Sequence, residues 1–219
     1  MRSSLIIDLS HPIGTFTYPG LPPPELRTVV TRGETAARLA PGISFEIEAL
    51  TLVGNTGTYI DSPFHYHADL ADIAGLPLEQ IVDVPVTVVH ADGVTSIGSD
   101  RLGDASRFSG RAVLIHTGWS RHWGTPEYTQ QNCPHLTADA VAALIDARVA
   151  VVGIDSLNID NPGDPARPAH QGLLGAGIPI IEHLTNLQSV PEGARLTAVP
   201  APVCGMASFP VRAIAVSQG

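Results

Sequence analysis

The chain has 219 residues, 21 acidic side chains against 12 Lys and Arg, and a formal net charge of -9. Such a balance leaves no basic footprint for a phosphate backbone or an anionic membrane surface, which excludes nucleic-acid binding. Cys133 and Cys204 lie far apart with no CxxC pair, which argues against a disulfide scaffold or a thiolate metal site and fits a reducing cytoplasm.

Along the chain, residues 4–8 predict a short strand, and its apolar patch is broken by Asp8, too short for a signal segment. No apolar run approaches the ~18 residues that a membrane span requires. PIGTFTYPGLPPPE follows, and its prolines, which lack donors and preset extended backbone, predict a surface loop or arm. From Ile43 the residues alternate, with Ile43, Phe45, Ile47 and Ala49 against Ser44, Glu46 and Glu48, the period of a half-buried strand.

VPVTVV (84–89), AVLIH (112–116) and VAVVGI (149–154) are β-branched, nearly all-apolar runs, as expected of strands covered on both faces. Between the last two, Thr137 caps a predicted helix whose apolar face carries Val141, Leu144 and Ile145. A short helix around QGLLGAG leads into a strand at IPIIE (178–182), and RLTAV and VRAIAV close the chain. With no repeat and no linker, residues 1–219 are expected to form one mixed α/β domain, rich in strands.

The chemistry concentrates in GNTGTYIDSPFHYH, which supplies Asn55, Tyr59, Asp61, His65 and His67. Asp61 ends a strand-like run, and Pro63 then turns the chain, so that His65 can return toward the space that Asp61 faces. A carboxylate there can hold a cation, and an imidazole can ligate it or shuttle a proton. The same residues also fit a turn capped by Asp61 with two surface histidines.

Gly57, Thr58, Asp61, Pro63 and His65 stand where the signature H-x-G-T-H-x-D-x-P-x-H has them, and His170 lies twelve residues ahead of Glu182 in RPAHQGLLGAGIPIIEHLTNL. With DLSHPI (8–13) and VLIHTGW (113–119), these segments resemble the cyclase-like metal-dependent hydrolases that include bacterial kynurenine formamidase and isatin hydrolase. The resemblance covers nearly the whole chain. It implies a swivelling β/β/α fold, a homodimer or homotetramer, and arylformamidase-like hydrolysis of a small amide, lactam or lactone. In the family, zinc or manganese activates a water for attack on a carbonyl, because a bound cation acidifies water and polarises the carbonyl together. Carried over by position, Asp61, His170 and Glu182 are metal ligands and His65 is the general acid/base.

Two positions depart from the family. Asn55 and Tyr59 stand where the metal-binding members have His, and an amide oxygen or a neutral phenol is a weak zinc donor. A second metal is therefore not expected, and Tyr59 matches a branch of the family that reads T-G-T-Y. Three outcomes stay open: one cation held by Asp61, His170 and Glu182 with His65 or His67, and Asn55 as a further ligand; metal-independent proton transfer by Asp61, His65 and Tyr59 in a cyclase or dehydratase; or a non-catalytic binding relative.

Trp119, Arg121 and His116 fall in the family-like segment near the pocket and could hold a planar or acidic substrate. Structural roles in packing or on the surface fit them equally. Asp155, Asp160 and Asp164 are explained by turn chemistry as well as by a place at the pocket. His183 would point away from Glu182 on a strand, toward the surface or behind the site. His11, His90, His122 and His135 receive no functional role.

Overall fold

Four runs of aliphatic and β-branched residues make the middle of the sheet: Val84–His90, Ala112–His116, Val151–Ile154 and Ile180–Glu182, all parallel to one another. Ala112–His116 is buried along its whole length, as a strand covered on both faces must be. The computed structural model describes residues 5–14 and 16–217; Ser4, included in the first predicted strand, lies outside them.

Antiparallel strands extend this centre on both sides. Tyr59–Asp61 pairs with Ile180–Glu182, and Ser208–Pro210 pairs with Tyr59–Asp61, closing one edge. On the other side come Arg195–Thr197, Ile214–Ser217 and Leu5–Asp8, completing nine strands. The expected mixed, strand-rich α/β architecture is the one observed. Aliphatic cores cover both faces of the sheet, one around Leu114, Ile60 and Leu196 and one around Val113, Ile115 and Val152. Each such buried aliphatic side chain contributes about 1.5–3 kcal/mol.

The predicted helix forms over Ala138–Asp146 with Thr137 in the N-cap position. Its hydroxyl turns to Ile97 and Asp139 instead of capping the helix. Ala140, Val141 and Leu144 are the buried face, and they back the π-helical turn His170–Leu174. The contact depends on Gly172, where a Cβ would stand 3.0 Å from Val141 Cγ1.

One expectation is corrected. The alternating segment forms Ile47–Thr51, which pairs with Glu25–Val30 in a separate two-stranded ribbon. Neither face is half-buried: Leu26 is 71% exposed and Phe45 47%. Alternation sets which residues share a face, but burial needs an element lying over that face, and none among the described residues does. Among the described residues no helix is long and apolar enough to cross a membrane.

Candidate metal and acid-base site

The segment from Gly54 to Asp61 is folded by close backbone contact. A Cβ at Gly54 would collide with the carbonyl oxygen of Ser208 at 2.3 Å, and Gly57 takes φ +66, which favours glycine. The Thr58 hydroxyl donates to the His183 carbonyl at 2.5 Å. This delivers Tyr59–Asp61 into the sheet, where alternation sends Ile60 into the core and Tyr59 and Asp61 to the opposite face.

Register then fixes their partners. Tyr59 lies opposite Glu182, and its hydroxyl donates to Glu182 Oε2. Asp61 lies opposite Ser208, whose hydroxyl donates to Asp61 Oδ1 and accepts from Asn55 Nδ2 at 3.4 Å. Ser62 is extended, as a residue before proline is biased to be, and Pro63–His65 makes one 3-10 turn. That turn returns His65 so that its Nε2 stands 3.9 Å from Asp61 Oδ1.

His170 approaches from the other side on the first residue of its π turn. Its Nδ1 donates to Asp160 Oδ2 at 2.6 Å, and Asp160 also accepts the amides of Ala169 (2.6 Å) and His170 (3.0 Å). The ring is thereby held with Nε2 aimed at two carboxylates, 3.8 Å from Asp61 Oδ2 and 3.9 Å from Glu182 Oε1. Glu182 Oε1 accepts the Ile159 amide at 2.6 Å.

The electrostatics follow from burial. Burial and the neighbouring Asp61 push Glu182 up to about 7, against the opposing pull of His170 and the hydrogen bonds from Tyr59 and Ile159. Burial alone would lower His170, but its hydrogen bond to Asp160, the nearby Asp61 carboxylate and the charge of Glu182 raise it to about 10. Burial, then Glu182 and Asp61, hold the Tyr59 phenol well above its ordinary value, so it stays a neutral donor. His65 is lowered, chiefly by burial with His170 and Arg167 adding, which favours the neutral base.

Asp61 Oδ2 is buried with no hydrogen-bond partner among the described residues. An unpaired carboxylate oxygen in the interior is costly, and here it faces an imidazole nitrogen whose ring is oriented by a second carboxylate. That is the arrangement in which a histidine ligates a metal. Asp61, His65 and His170 each offer a ligand atom within 4.8 Å of the others, with Glu182 beside them. The donor set of imidazole and carboxylate fits zinc or manganese. To ligate a cation, His170 must present Nε2 without a proton.

A hollow of about 210 Å³ opens onto these groups, lined in part by Asn55, Tyr59, His65, His170 and Glu182. Its remaining wall brings in residues that sequence reasoning left aside. Arg167 donates to Asn158 Oδ1 at 3.0 Å and to the Tyr66 hydroxyl at 3.3 Å. Tyr18 and Leu21 come from the proline-rich loop. Asp160, taken above as equally explained by turn chemistry, orients His170.

Five other residues weighed from the sequence sit elsewhere. His67 lies past the end of the 3-10 turn and directs its Nε2 to the Gln171 carbonyl at 3.0 Å. Trp119 donates to the Tyr128 carbonyl at 3.1 Å and packs on that aromatic cluster. Arg121 and His116 line a different hollow, of about 350 Å³. His183 is buried, not surface, with its ring nitrogens 2.9 Å from the carbonyls of Gly57 and Leu157.

Residues 7–161 match the Cyclase family. A kynurenine formamidase from Bacillus cereus is 29% identical over 217 residues, 98% of each chain. Among solved structures, isatin hydrolase A from Labrenzia aggregata, bound to benzyl benzoate, superposes with a TM-score of 0.83 at 24% identity, covering 99% of this chain and 94% of that one. A structure described as a potential metal-dependent hydrolase with cyclase activity gives 0.80 at 26% identity, covering 99% and 100%.

Proposed function

The chain belongs to the Cyclase family, and from that premise we propose that it is a metal-dependent hydrolase of a C–N bond in a small amide, with lactams and lactones in the same class. The observation that carries this reading is the buried Asp61 Oδ2, unpartnered among the described residues, facing His170 Nε2 at 3.8 Å. The likeness to kynurenine formamidase over nearly the full length supports the bond class.

Asp61, His170 and Glu182 would hold one divalent cation, zinc or manganese, as the three fully buried members of the cluster. A cation there supplies a more acidic water and a polarised carbonyl. His65 is the member that solvent reaches, its side chain 29% exposed. As a neutral imidazole it takes the proton from an attacking water and returns one to the departing nitrogen. Tyr59 holds Glu182, and Asp160 orients His170. Arg167 and Asn158 offer donors to a substrate carbonyl or carboxylate, while Tyr18 and Leu21 give an apolar wall suited to an aryl group.

Two coarser features complete the proposal. Free Cys133 and Cys204 support a cytoplasmic setting. The apolar ribbon Glu25–Val30 and Ile47–Thr51, exposed in one chain, supports a homodimer or homotetramer.

The test is hydrolysis of an aryl formamide and of an aryl lactam, before and after chelation. Turnover lost to chelator and regained with zinc or manganese is expected, with a gain in thermal stability on adding metal that Asp61→Asn removes. Chelator-resistant turnover, or a metal response unaltered by Asp61→Asn, contradicts the proposal.

A further inference from the structure

At the carboxyl ends of two adjacent parallel strands the register sets His90 directly beside His116. Registered neighbours in a parallel pair project to the same face. The pairing continues one step further, with the Ala91 amide donating to the His116 carbonyl at 2.8 Å. That brings Asp92, two residues past His90, back to the same edge. The Nδ1 atoms of the two histidines are 3.2 Å apart, and Asp92 Oδ2 lies 3.3 Å from His116 Nδ1 and 4.0 Å from His90 Nδ1.

Three ligand atoms therefore converge on one point. A hydrogen bond between two facing imidazole nitrogens uses one proton and one lone pair, whereas a cation accepts both lone pairs and the carboxylate at once. Ligands ~2.0–2.1 Å from a tetrahedral zinc-sized ion stand roughly 3.3 Å from one another. Two of the three separations match that edge. The third, at 4.0 Å, involves His90, whose side chain is 61% exposed and free to swing.

Gly118 keeps the approach open. A Cβ there would sit 3.2 Å from Asp92 Oδ1 and 2.9 Å from Arg121 Nη1. The cluster also lies between two surface hollows, one of about 470 Å³ beside His90 and one of about 350 Å³ beside His116 and Arg121. Neither hollow is the one onto which Asp61 and His170 open.

We propose that His90, Asp92 and His116 form a second divalent-cation site, distinct from the Asp61 cluster, which takes a borderline transition metal such as zinc, cobalt or nickel. Two imidazoles and one carboxylate select that class over magnesium or calcium, which prefer all-oxygen shells. Three protein ligands leave the fourth position to water or a small anion, with Arg121 beside it. The bound ion would clamp the ends of the two central strands to the turn that carries Asp92.

The experiment titrates chelator-stripped protein with Zn²⁺ by calorimetry and records the visible spectrum with Co²⁺, for wild type, His90→Ala and Asp92→Asn. Both substituted side chains are more than half exposed, so the variants keep the fold. Wild type should take up one more equivalent than either variant. That equivalent should be weakened by more than the ~10–100-fold that loss of a merely supporting residue costs, and a tetrahedral Co²⁺ component should disappear with it. Identical uptake and identical spectra in all three proteins overturn the proposal. Because neither residue lines the Asp61 hollow, a protein holding a single equivalent that vanishes in His90→Ala supports this site and counts against a resident cation at Asp61.

Discussion

Nδ1 of His170 stands 2.6 Å from Oδ2 of Asp160, and both side chains are buried. The same carboxylate also accepts the amides of Ala169 and His170, so it fixes both the ring and the turn that carries it. Asp160→Asn keeps the shape but removes the charge that makes His170 basic. Metal affinity should fall roughly 10–100-fold, with little change in the KM of the remaining active enzyme. Zinc or manganese titration read by thermal shift checks this, and unchanged affinity would assign Asp160 a purely structural role.

His65→Ala addresses proton transfer. The side chain is partly exposed and makes no hydrogen bond among the described residues, so its loss should cost less than about 1 kcal/mol in stability. A general acid/base contributes ~10²–10⁴-fold to the rate, and kcat should drop by that factor while the metal content holds. Turnover within a factor of about three of wild type would remove His65 from the mechanism.

Tyr59→Phe distinguishes a holding role from a catalytic one. The phenol donates to Glu182 inside the protein, and a hydrogen bond to a charged acceptor is worth about 1.5–3 kcal/mol. Without it, Glu182, already up to about 7 by burial and the presence of Asp61, should rise further and bind a cation less well at neutral pH. Stability should fall by about 2 kcal/mol in urea titration, and activity at saturating metal should stay within roughly tenfold. A loss of ~10²-fold or more at saturating metal would instead make Tyr59 a proton donor.

How far the sequence carries this picture depends on what sets each feature. AVLIH was legible to its ends because a doubly covered strand must be apolar throughout, and Ala112–His116 is the element found. Asp61 and His65 were legible because a strand end, a proline and a single turn fix their relation locally. Asp160 and Arg167 were not, since the loop that carries them is positioned by Asn158, Tyr66 and the His170 turn, contacts that no spacing encodes. His67 shared the polarity of His65, but it follows the end of the 3-10 turn and its ring goes to the Gln171 carbonyl instead. The ribbon at 47–51 had the right alternation, and its exposure depends on what, if anything, packs over it.

His11 gives the pH prediction. Its ring stacks on Trp123 with centroids 4.0 Å apart and 3° between planes, and its Nε2 is buried without a partner among the described residues. Burial, helped by nearby His183 and opposed by Asp8, lowers it from 6.5 to about 4. Between those values the unfolded chain binds a proton that the folded one refuses, so stability is full above pH 6.5 and is lost as the pH falls through 4. A gap of this size corresponds to ~3 kcal/mol for a fully buried group, and about 1 kcal/mol is expected at this partly exposed ring. His11→Gln cannot titrate. It should lower stability at neutral pH by weakening the stack on Trp123, yet lose less on going from pH 7 to pH 4.5 than wild type does. Urea midpoints at the two pH values measure the difference, and parallel losses in the two proteins would show that His11 is not the group responsible.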